Sequence, residues 1–243
     1  MNLKVSIIIP TYNNLKNLRL CIDSIKKQTF LNYEVWIIDG NSTDKTKDFL
    51  QNLKEPFYWI SEKDYGIYQA MNKGIFFAKG DWLCFLGADD ILYNNKVLQS
   101  IFSLNIPIKT SFISGKITYN KKSFLNKEKK PSWSFLMWIR NGIHHQGTFY
   151  RKELFFENKY DESFQVLADY AFNLQLFQER KKCLLLHQTV AICGANGISK
   201  NVDWVLYKEE LKLKMALNSN FLFPLFYILV CIKFFFKKIN SYI

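Results

Sequence analysis

Two adjacent carboxylates, Asp89 and Asp90, come directly after an apolar run that ends at Leu86. Mg²⁺ and Mn²⁺ prefer oxygen ligands, and proteins hold them with one or two carboxylates completed by substrate phosphates. An Asp-Asp pair by itself is more often a helix cap than a metal site. The pair therefore indicates a candidate metal site, and the surrounding residues decide how strong that indication is.

Three other segments also place polar side chains after apolar runs: Thr11-Tyr12-Asn13, Asp39, and Ser61-Glu62-Lys63-Asp64. Ordinary turns favour Asn, Asp and Ser, so any one segment can be explained by turn chemistry alone. Four such segments together, counting Asp89-Asp90, are harder to explain in that way. They predict a ligand-binding edge with hydroxyls, amides and carboxylates.

The elements that position these residues alternate between strand and helix. Val5–Ile9, Glu34–Ile38, Phe57–Ile60 and Asp81–Leu86 have the composition of buried strands, and apolar residues at helical spacing separate them. This alternation predicts a parallel α/β sheet, in which ligands bind outside the carboxyl ends of the strands.

The second half of the chain is less regular. We predict strands at 111–120 and 184–193, a short helix at 151–156 and a longer helix at 169–180. With no repeat and no linker-like boundary, the sequence favours one domain over residues 1–215, with a nucleotide-binding half (1–92) and an acceptor half (93–215). Residues 216–243 form a separate aromatic and basic tail.

Composition limits the class of protein. The chain is 49% hydrophobic, which excludes disorder, and its 33 Lys and Arg against 21 Asp and Glu give a net charge of +12. Such an excess suits nucleic acid, an anionic membrane or phosphate-bearing substrates. Five scattered cysteines without a Cys-x-x-Cys pair indicate neither a zinc site nor a disulfide framework, and we expect a cytoplasmic protein.

Four blocks of sequence resemble family 2 glycosyltransferases, in the family's order and spacing. They are Val5-Ser6-Ile7-Ile8-Ile9-Pro10-Thr11-Tyr12-Asn13-Asn14, Ile38–Thr46, Ser61–Gly74, and Ala78–Trp82 followed by Phe85-Leu86-Gly87-Ala88-Asp89-Asp90. Beyond residue 140 the match is looser but includes Tyr160–Phe164 and Ala168-Asp169-Tyr170. The resemblance implies a GT-A fold, with a mostly parallel central sheet flanked by helices.

The resemblance also implies transfer of a sugar from a nucleotide diphosphate, with UDP as the default donor, in bacterial surface polysaccharide synthesis. It assigns the nucleotide-sugar pocket to Thr11, Tyr12, Asn13, Asp39, Asp64, Asn72 and Asp89. Gly87 stands where the family's Asp-x-Asp motif has its first Asp. That departure leaves Asp89 as the best ligand for Mn²⁺ or Mg²⁺ and Asp90 as a second candidate.

Similar enzymes use an Asp at the start of a helix as general base, and Asp169 matches that position. A carboxylate can accept the proton that the acceptor hydroxyl loses as it attacks, and a single displacement then inverts the anomeric centre. The alternative is that Asp169 only caps its helix. His144 and His145 are equally open to a functional or a structural role, with His145 the better candidate for a metal ligand.

The C-terminal tail is aromatic and basic: an apolar run over 221–236 is interrupted by Lys233 and followed by Lys237-Lys238. It is shorter than the roughly twenty residues of a membrane span, and fits a helix lying in the headgroup region of an anionic membrane. The alternatives are a core or dimer-interface helix and a tilted span. We expect the chain on the inner face of the cell membrane, acting on a lipid-linked or saccharide acceptor.

Two other classes compete with glycosyl transfer. A nucleotidyltransferase of similar fold predicts a first loop rich in glycine with Arg or Lys, which Thr11-Tyr12-Asn13-Asn14 lacks. A nucleic-acid-binding module is suggested only by charge, and acidic strand ends repel phosphate in the absence of a cation. Both hypotheses have less support in the sequence than glycosyl transfer, and we expect no nucleic-acid partner.

Overall fold

The computed structural model describes residues 4–119, 128–194, 204–216 and 223–239. The tail predicted at residues 216–243 lies only partly within these residues.

A four-stranded parallel sheet forms the first half, in the order β3-β2-β1-β4. Its strands are β1 (Val5–Thr11), β2 (Tyr33–Asp39), β3 (Phe57–Ser61) and β4 (Trp82–Phe85). Register aligns Thr11 of β1 with Asp39 of β2, and Asp39 with Ser61 of β3. The polar segments predicted to follow the strands therefore do meet at one edge.

Helices connect these parallel strands and cover both faces of the sheet. They are α1 (Leu15–Lys26), α2 (Thr46–Gln51), α3 (Ile67–Phe77) and, after β4, α4 (Val97–Phe102). Alternate side chains of β1 point to opposite faces, so Ile7 and Ile9 join one core while Ile8 joins the other. At the α3 crossing a Cβ on Gly74 would lie 2.4 Å from Ile8 Cγ2, so only glycine allows this approach.

The second half extends the same sheet with mixed pairing. Its strands are β5 (Ile91–Leu92), β6 (Thr110–Tyr119), β7 (Glu128–Lys129), β8 (Thr148–Arg151) and β9 (Lys182–Cys193). Strand β8 joins the two halves because it pairs antiparallel with both β4 and β6. Strands β6 and β9 are parallel, with register shifts along their length.

Short 3-10 helices and three α-helices complete the second half. The 3-10 helices are Phe135–Trp138, His145–Gly147 and Lys152–Phe155, and the α-helices are α5 (Ala168–Gln178), α6 (Trp204–Ala216) and α7 (Phe223–Ile239). Helix α7 packs against α6, where Phe234 meets Trp204 and Tyr207. Within the described residues no helix is both long and apolar enough to cross a membrane.

The α/β prediction is confirmed, and the strands predicted in the first half agree with β1 to β4. Predictions for the second half also hold for β6, β9 and α5, and the helix predicted at 151–156 is the 3-10 helix Lys152–Phe155. Strands β5, β7 and β8 and helices α4 and α6 were not predicted. The three strands and α4 have six or fewer residues, too few to show a period, whereas the 13 residues of α6 mix charged and apolar types without a clear apolar stripe.

Candidate active site

A cleft of about 620 Å³ opens at the carboxyl ends of β1 and β4, against the start of α3. This is the edge on which ligands bind in open α/β sheets. The cleft is lined by four groups of residues: Pro10–Asn14 with Asn17, Asp64, Gly66–Ala70 in part, and Gly87–Asp89. Of the predicted pocket residues it brings together Thr11, Tyr12, Asn13, Asp64 and Asp89.

Asp39 lies behind the wall of this cleft and is fully buried. Its carboxylate accepts hydrogen bonds from the Ser42 hydroxyl, from the Ser42 N–H at 3.1 Å and from the Ser61 hydroxyl at 2.6 Å. Three donors satisfy a carboxylate that would otherwise be costly to bury. In the present geometry Asp39 holds the β2 loop and the end of β3 together.

Asn13 fastens the first loop to the second. Its backbone is left-handed (φ 46°), its N–H donates to the Ser42 hydroxyl at 2.8 Å, and its amide oxygen accepts from the N–H groups of Thr43 and Asp44. Asparagine tolerates this conformation better than most residues because its short amide bonds locally. The two loops are thereby held as one unit.

Tyr12 and Asp64 face each other across Gly40. Tyr12 is 62% exposed, and a Cβ on Gly40 would lie 2.9 Å from Asp64 Oδ2 and 3.3 Å from Tyr12 Cδ2. Burial raises the pKa of Asp64 above its usual value, although the Gly66 N–H and Lys73 act in the other direction. Thr11 is buried, and its hydroxyl has no partner among the described residues.

The two acidic residues after β4 have different surroundings. Both carboxylate oxygens of Asp90 accept backbone N–H groups, from Gly87 at 2.8 Å and Gly194 at 2.9 Å. Burial is the largest cause that raises the pKa of Asp90 to about 6, against the lowering by these two bonds. Asp89 lines the cleft, and among the described residues none donates a hydrogen bond to its carboxylate.

The predicted metal ligands Asp89, Asp90 and His145 are not gathered into one cluster. In the part of the chain that the structure describes, no three His, Cys, Asp or Glu side chains are placed to hold a metal ion. Asp90 is engaged by backbone groups, and His145 is engaged by Asp169. Asp89 is therefore the one of the three whose surroundings suit an oxygen ligand completed by substrate phosphates.

Asp169 stands in the first turn of α5, at the centre of a polar cluster. Its Oδ2 lies 3.0 Å from His145 Nδ1 and accepts a long bond from Asn141, while its Oδ1 lies 3.3 Å from the Tyr68 hydroxyl. Burial and Asp169 raise the pKa of Tyr68 well above its usual value, so this hydroxyl is a neutral donor. Asp169 Oδ1 also accepts the Tyr170 N–H at 2.8 Å, so this carboxylate satisfies a backbone donor of the first turn although the N-cap residue is Leu167.

Two further predicted residues lie close to this cluster. Burial lowers the pKa of His144 to about 4, which leaves that imidazole neutral near pH 7. Asn72 is buried outside the cleft lining and bonds to both backbone groups of Tyr160 and to the Glu162 carboxylate. Asn72 thus fixes the loop before α5 onto α3.

Glu209 of α6, which we did not predict, holds the backbone just before the helix that carries Asp169. Its buried carboxylate accepts the N–H groups of Gln165 at 2.6 Å, Val166 at 3.0 Å and Leu167 at 3.1 Å, immediately before α5. The Val166 carbonyl in turn accepts the Tyr68 hydroxyl at 2.6 Å. No sequence signal marks this role, since Glu209-Glu210 in a helix has the pattern of an exposed acidic pair.

Comparison with known proteins gives one family and several related chains. The family model described as glycosyl transferase family 2 matches residues 6–204. A PGL/p-HBAD biosynthesis glycosyltransferase of Mycobacterium bovis is 34% identical over 217 residues, which cover 85% of this chain and 82% of that protein.

Two solved structures share the fold at low sequence identity. S. aureus TarS in complex with UDP-GlcNAc has a TM-score of 0.69 at 18% identity, covering 87% of this chain and 65% of that one. The mannosyltransferase PcManGT from Pyrobaculum calidifontis, in complex with GDP-Man and Mn²⁺, has a TM-score of 0.61 at 16% identity, covering 78% and 56%. This chain spans less than two thirds of either solved chain.

Proposed function

The chain belongs to glycosyl transferase family 2 and is a glycosyltransferase, and we propose that it moves a sugar from a nucleotide diphosphate to an acceptor hydroxyl with inversion. One observation carries the proposal. A cleft of about 620 Å³ lies beside α3, whose Tyr68 contacts the base candidate Asp169, and it is bordered by Asp89, whose carboxylate accepts no hydrogen bond from the described residues. The family match also decides against the nucleotidyltransferase alternative.

The donor is proposed to be a UDP-sugar seated in the cleft between Tyr12, Asp64 and Asp89. Tyr12 offers an exposed ring for stacking on a base, and the carboxylate of Asp64 can accept hydrogen bonds from a base or ribose. Asp39 and Asn13 act by holding the two loops that form this wall. A fold neighbour that binds UDP-GlcNAc supports the choice of donor.

Asp89 is the residue proposed to hold Mn²⁺ or Mg²⁺, with diphosphate oxygens as the other ligands. A bound cation supplies Lewis-acid stabilisation of the charge that builds on the leaving diphosphate. Asp90 contributes by fixing the turn at Gly87, through its bond to that N–H, and by joining the turn to Gly194. The Mn²⁺ in the complex of the mannosyltransferase neighbour supports the use of a divalent metal.

Asp169 is the proposed general base. The acceptor oxygen forms a bond to the anomeric carbon while the bond from that carbon to the diphosphate oxygen breaks, and the acceptor proton passes to Asp169. His145 Nδ1 holds this carboxylate at Oδ2, while the Tyr68 hydroxyl, which donates to the Val166 carbonyl, lies 3.3 Å from Oδ1. A single displacement of this kind inverts the configuration at the anomeric carbon.

The acceptor is proposed to be lipid-linked or a saccharide, in the synthesis of a bacterial surface polysaccharide. We place the enzyme in the cytoplasm, at the inner face of the cell membrane, with the tail of residues 216–243 as the contact. The PGL/p-HBAD biosynthesis glycosyltransferase relative and the basic, aromatic composition of the tail support this assignment.

A thermal-shift screen of UDP-, GDP- and dTDP-sugars, each with and without Mn²⁺, tests the donor and the metal together. We expect one nucleotide series to raise the melting temperature, and to raise it further with Mn²⁺, because a ligand that binds only the folded state stabilises it. Asp89→Asn is the matched variant and should lose only the Mn²⁺-dependent part. Failure of every nucleotide diphosphate to stabilise the protein, with or without Mn²⁺, would contradict the scheme.

A further inference from the structure

Helix α7 leaves one apolar stripe uncovered. Phe226 and Val230 are buried on its inner side, whereas Leu225, Ile228, Ile232 and Phe235 are 46% to 61% exposed at steps of three and four residues. Such spacing places the four exposed side chains on one side of the helix. The helix therefore packs one apolar side against the protein and leaves another apolar side open to solvent.

A second exposed apolar group lies on the segment to which α7 is fastened. Phe135, Leu136 and Ile139, in and after the 3-10 helix Phe135–Trp138, are 44% to 75% exposed. The Lys233 ammonium of α7 bonds to the Ile139 carbonyl and to the buried Glu210 carboxylate, which fastens α7 beside this short helix. Together the seven side chains form what we call the apolar surface.

From this geometry we propose that the apolar surface is an interfacial membrane-binding face, in which the 3-10 helix Phe135–Trp138 enters the headgroup region together with α7. The proposal goes beyond a tail acting alone, because it adds a second, distant segment of the chain and fixes which side of α7 meets lipid. Exposed apolar side chains that are grouped rather than scattered mark an interaction site.

The charges around the apolar surface favour an anionic bilayer over other occupants. No acidic residue occurs in the sequence between 131 and 152 or between 211 and 243, the two stretches that carry the apolar surface, whereas basic residues including Arg140 and Lys212 do. The two acidic residues of α6, Glu209 and Glu210, are buried and bonded, and Glu210 compensates the charge of Lys233. A two-fold dimer across this face would bring Arg140 of both copies together, which disfavours a second copy.

One end of the apolar surface lies next to Asp169, the proposed general base. Asn141, two residues after Ile139, donates to Asp169, and the Met137 carbonyl accepts the Tyr170 hydroxyl at 2.6 Å. This arrangement, which rests on the proposed function, places the acceptor side of the site at the bilayer. A hydroxyl of a lipid-linked acceptor can then reach Asp169 while the lipid stays in the membrane.

Cosedimentation of the full chain with phosphatidylcholine vesicles, with and without phosphatidylglycerol, tests the proposal. The anionic vesicles should bind the protein, and Ile228→Ser/Phe235→Ser should weaken that binding roughly tenfold or more because two anchoring side chains are lost. Phe135→Ser should weaken it several-fold. Leu31→Ser is the matched control, since Leu31 is 79% exposed at the amino edge of the sheet.

Circular dichroism and the nucleotide-dependent thermal shift show that each variant is folded, and they test the donor site independently of lipid. Three outcomes would overturn the proposal: equal binding to neutral and anionic vesicles, a Phe135 variant that binds like the Leu31 control, or an α7 variant that binds like wild type. Conversion of a dimer to a monomer by the α7 variant, with vesicle binding unchanged, would assign the face to a second copy instead.

Discussion

The donor side and the acceptor side of the site are built in different ways. On the donor side, the two loops after β1 and β2 hold each other through Asn13, Ser42 and Asp39, all within about thirty residues of sequence. On the acceptor side, Asp169 is held by side chains from α3, from the loop before β8 and, through Glu209, from α6. The first is a local clamp, and the second is an assembly of distant elements.

This difference leads to different consequences when a residue is lost. A local clamp should fail locally and weaken donor binding, whereas a distributed assembly should transmit a change in α6 to the base. Substitutions can therefore separate binding of the donor from transfer of the sugar.

The largest effect is expected from Asp169→Asn. An amide cannot accept the acceptor proton, so the rate of transfer should fall by about 10²- to 10⁴-fold, the range for loss of a general base. Donor binding should be unchanged because Asp169 lies outside the cleft lining. Initial rates at saturating donor, together with the nucleotide thermal shift, measure the two quantities.

Asp81→Asn is a suitable control, since Asp81 is exposed at the other end of β4. Near-normal transfer by the Asp169 variant would remove the base assignment and leave the cluster around it a structural role.

A second contrast uses the adjacent residues Asp89 and Asp90. Asp89→Asn should lower transfer by roughly 10²-fold through lost stabilisation of the leaving group, and should abolish the Mn²⁺-dependent part of the thermal shift. Asp90→Asn should instead lower the free energy of unfolding by about 1–3 kcal/mol, because the amide keeps one acceptor oxygen and leaves one of the two part-buried N–H groups without a partner. Metal titration and urea unfolding of both variants distinguish these roles, and a reversed pattern would exchange the two assignments.

The donor side was largely predictable from sequence because its determinants are local. β-Branched runs such as Val5–Ile9 specify buried strands, and the polar residues that follow them meet once the sheet is parallel. The acceptor side was not predictable in the same way. Tyr68 and Asp169 are 101 residues apart, and Glu209 reaches a loop 42 to 44 residues before it, so no local pattern reports these contacts.

Glu209→Ala tests whether the distributed assembly transmits change to the base. Removal of the carboxylate leaves three N–H groups before α5 without their acceptor, so the start of that helix should shift. We expect kcat to fall about tenfold, since small misplacement of a catalytic group is costly, with the donor KM within about twofold. Steady-state kinetics at varied donor concentration give both constants.

Glu209→Gln keeps an acceptor oxygen and should recover much of the lost kcat, which a general loss of folding would not allow. Glu210→Ala is the matched control for Glu209→Ala on the same helix, because Glu210 bonds to Lys214 and Lys233 and not to the loop before α5. Equal losses of kcat in the two alanine variants would show that α6 acts only through overall stability.

The smallest effect is expected at Asn13, in the local clamp. Asn13→Ala loses the bonds to Thr43 and Asp44 and also places a Cβ-bearing residue without a local amide at φ 46°. Asn13→Gly loses the same bonds but relieves the left-handed strain, so urea unfolding should find the alanine variant less stable by about 1 kcal/mol. Both variants should weaken donor binding several-fold while kcat at saturating donor changes little, because the clamp does not reach Asp169. A fall in kcat as large as that of Glu209→Ala would mean that the two sides of the site are coupled and that the distinction between them is wrong.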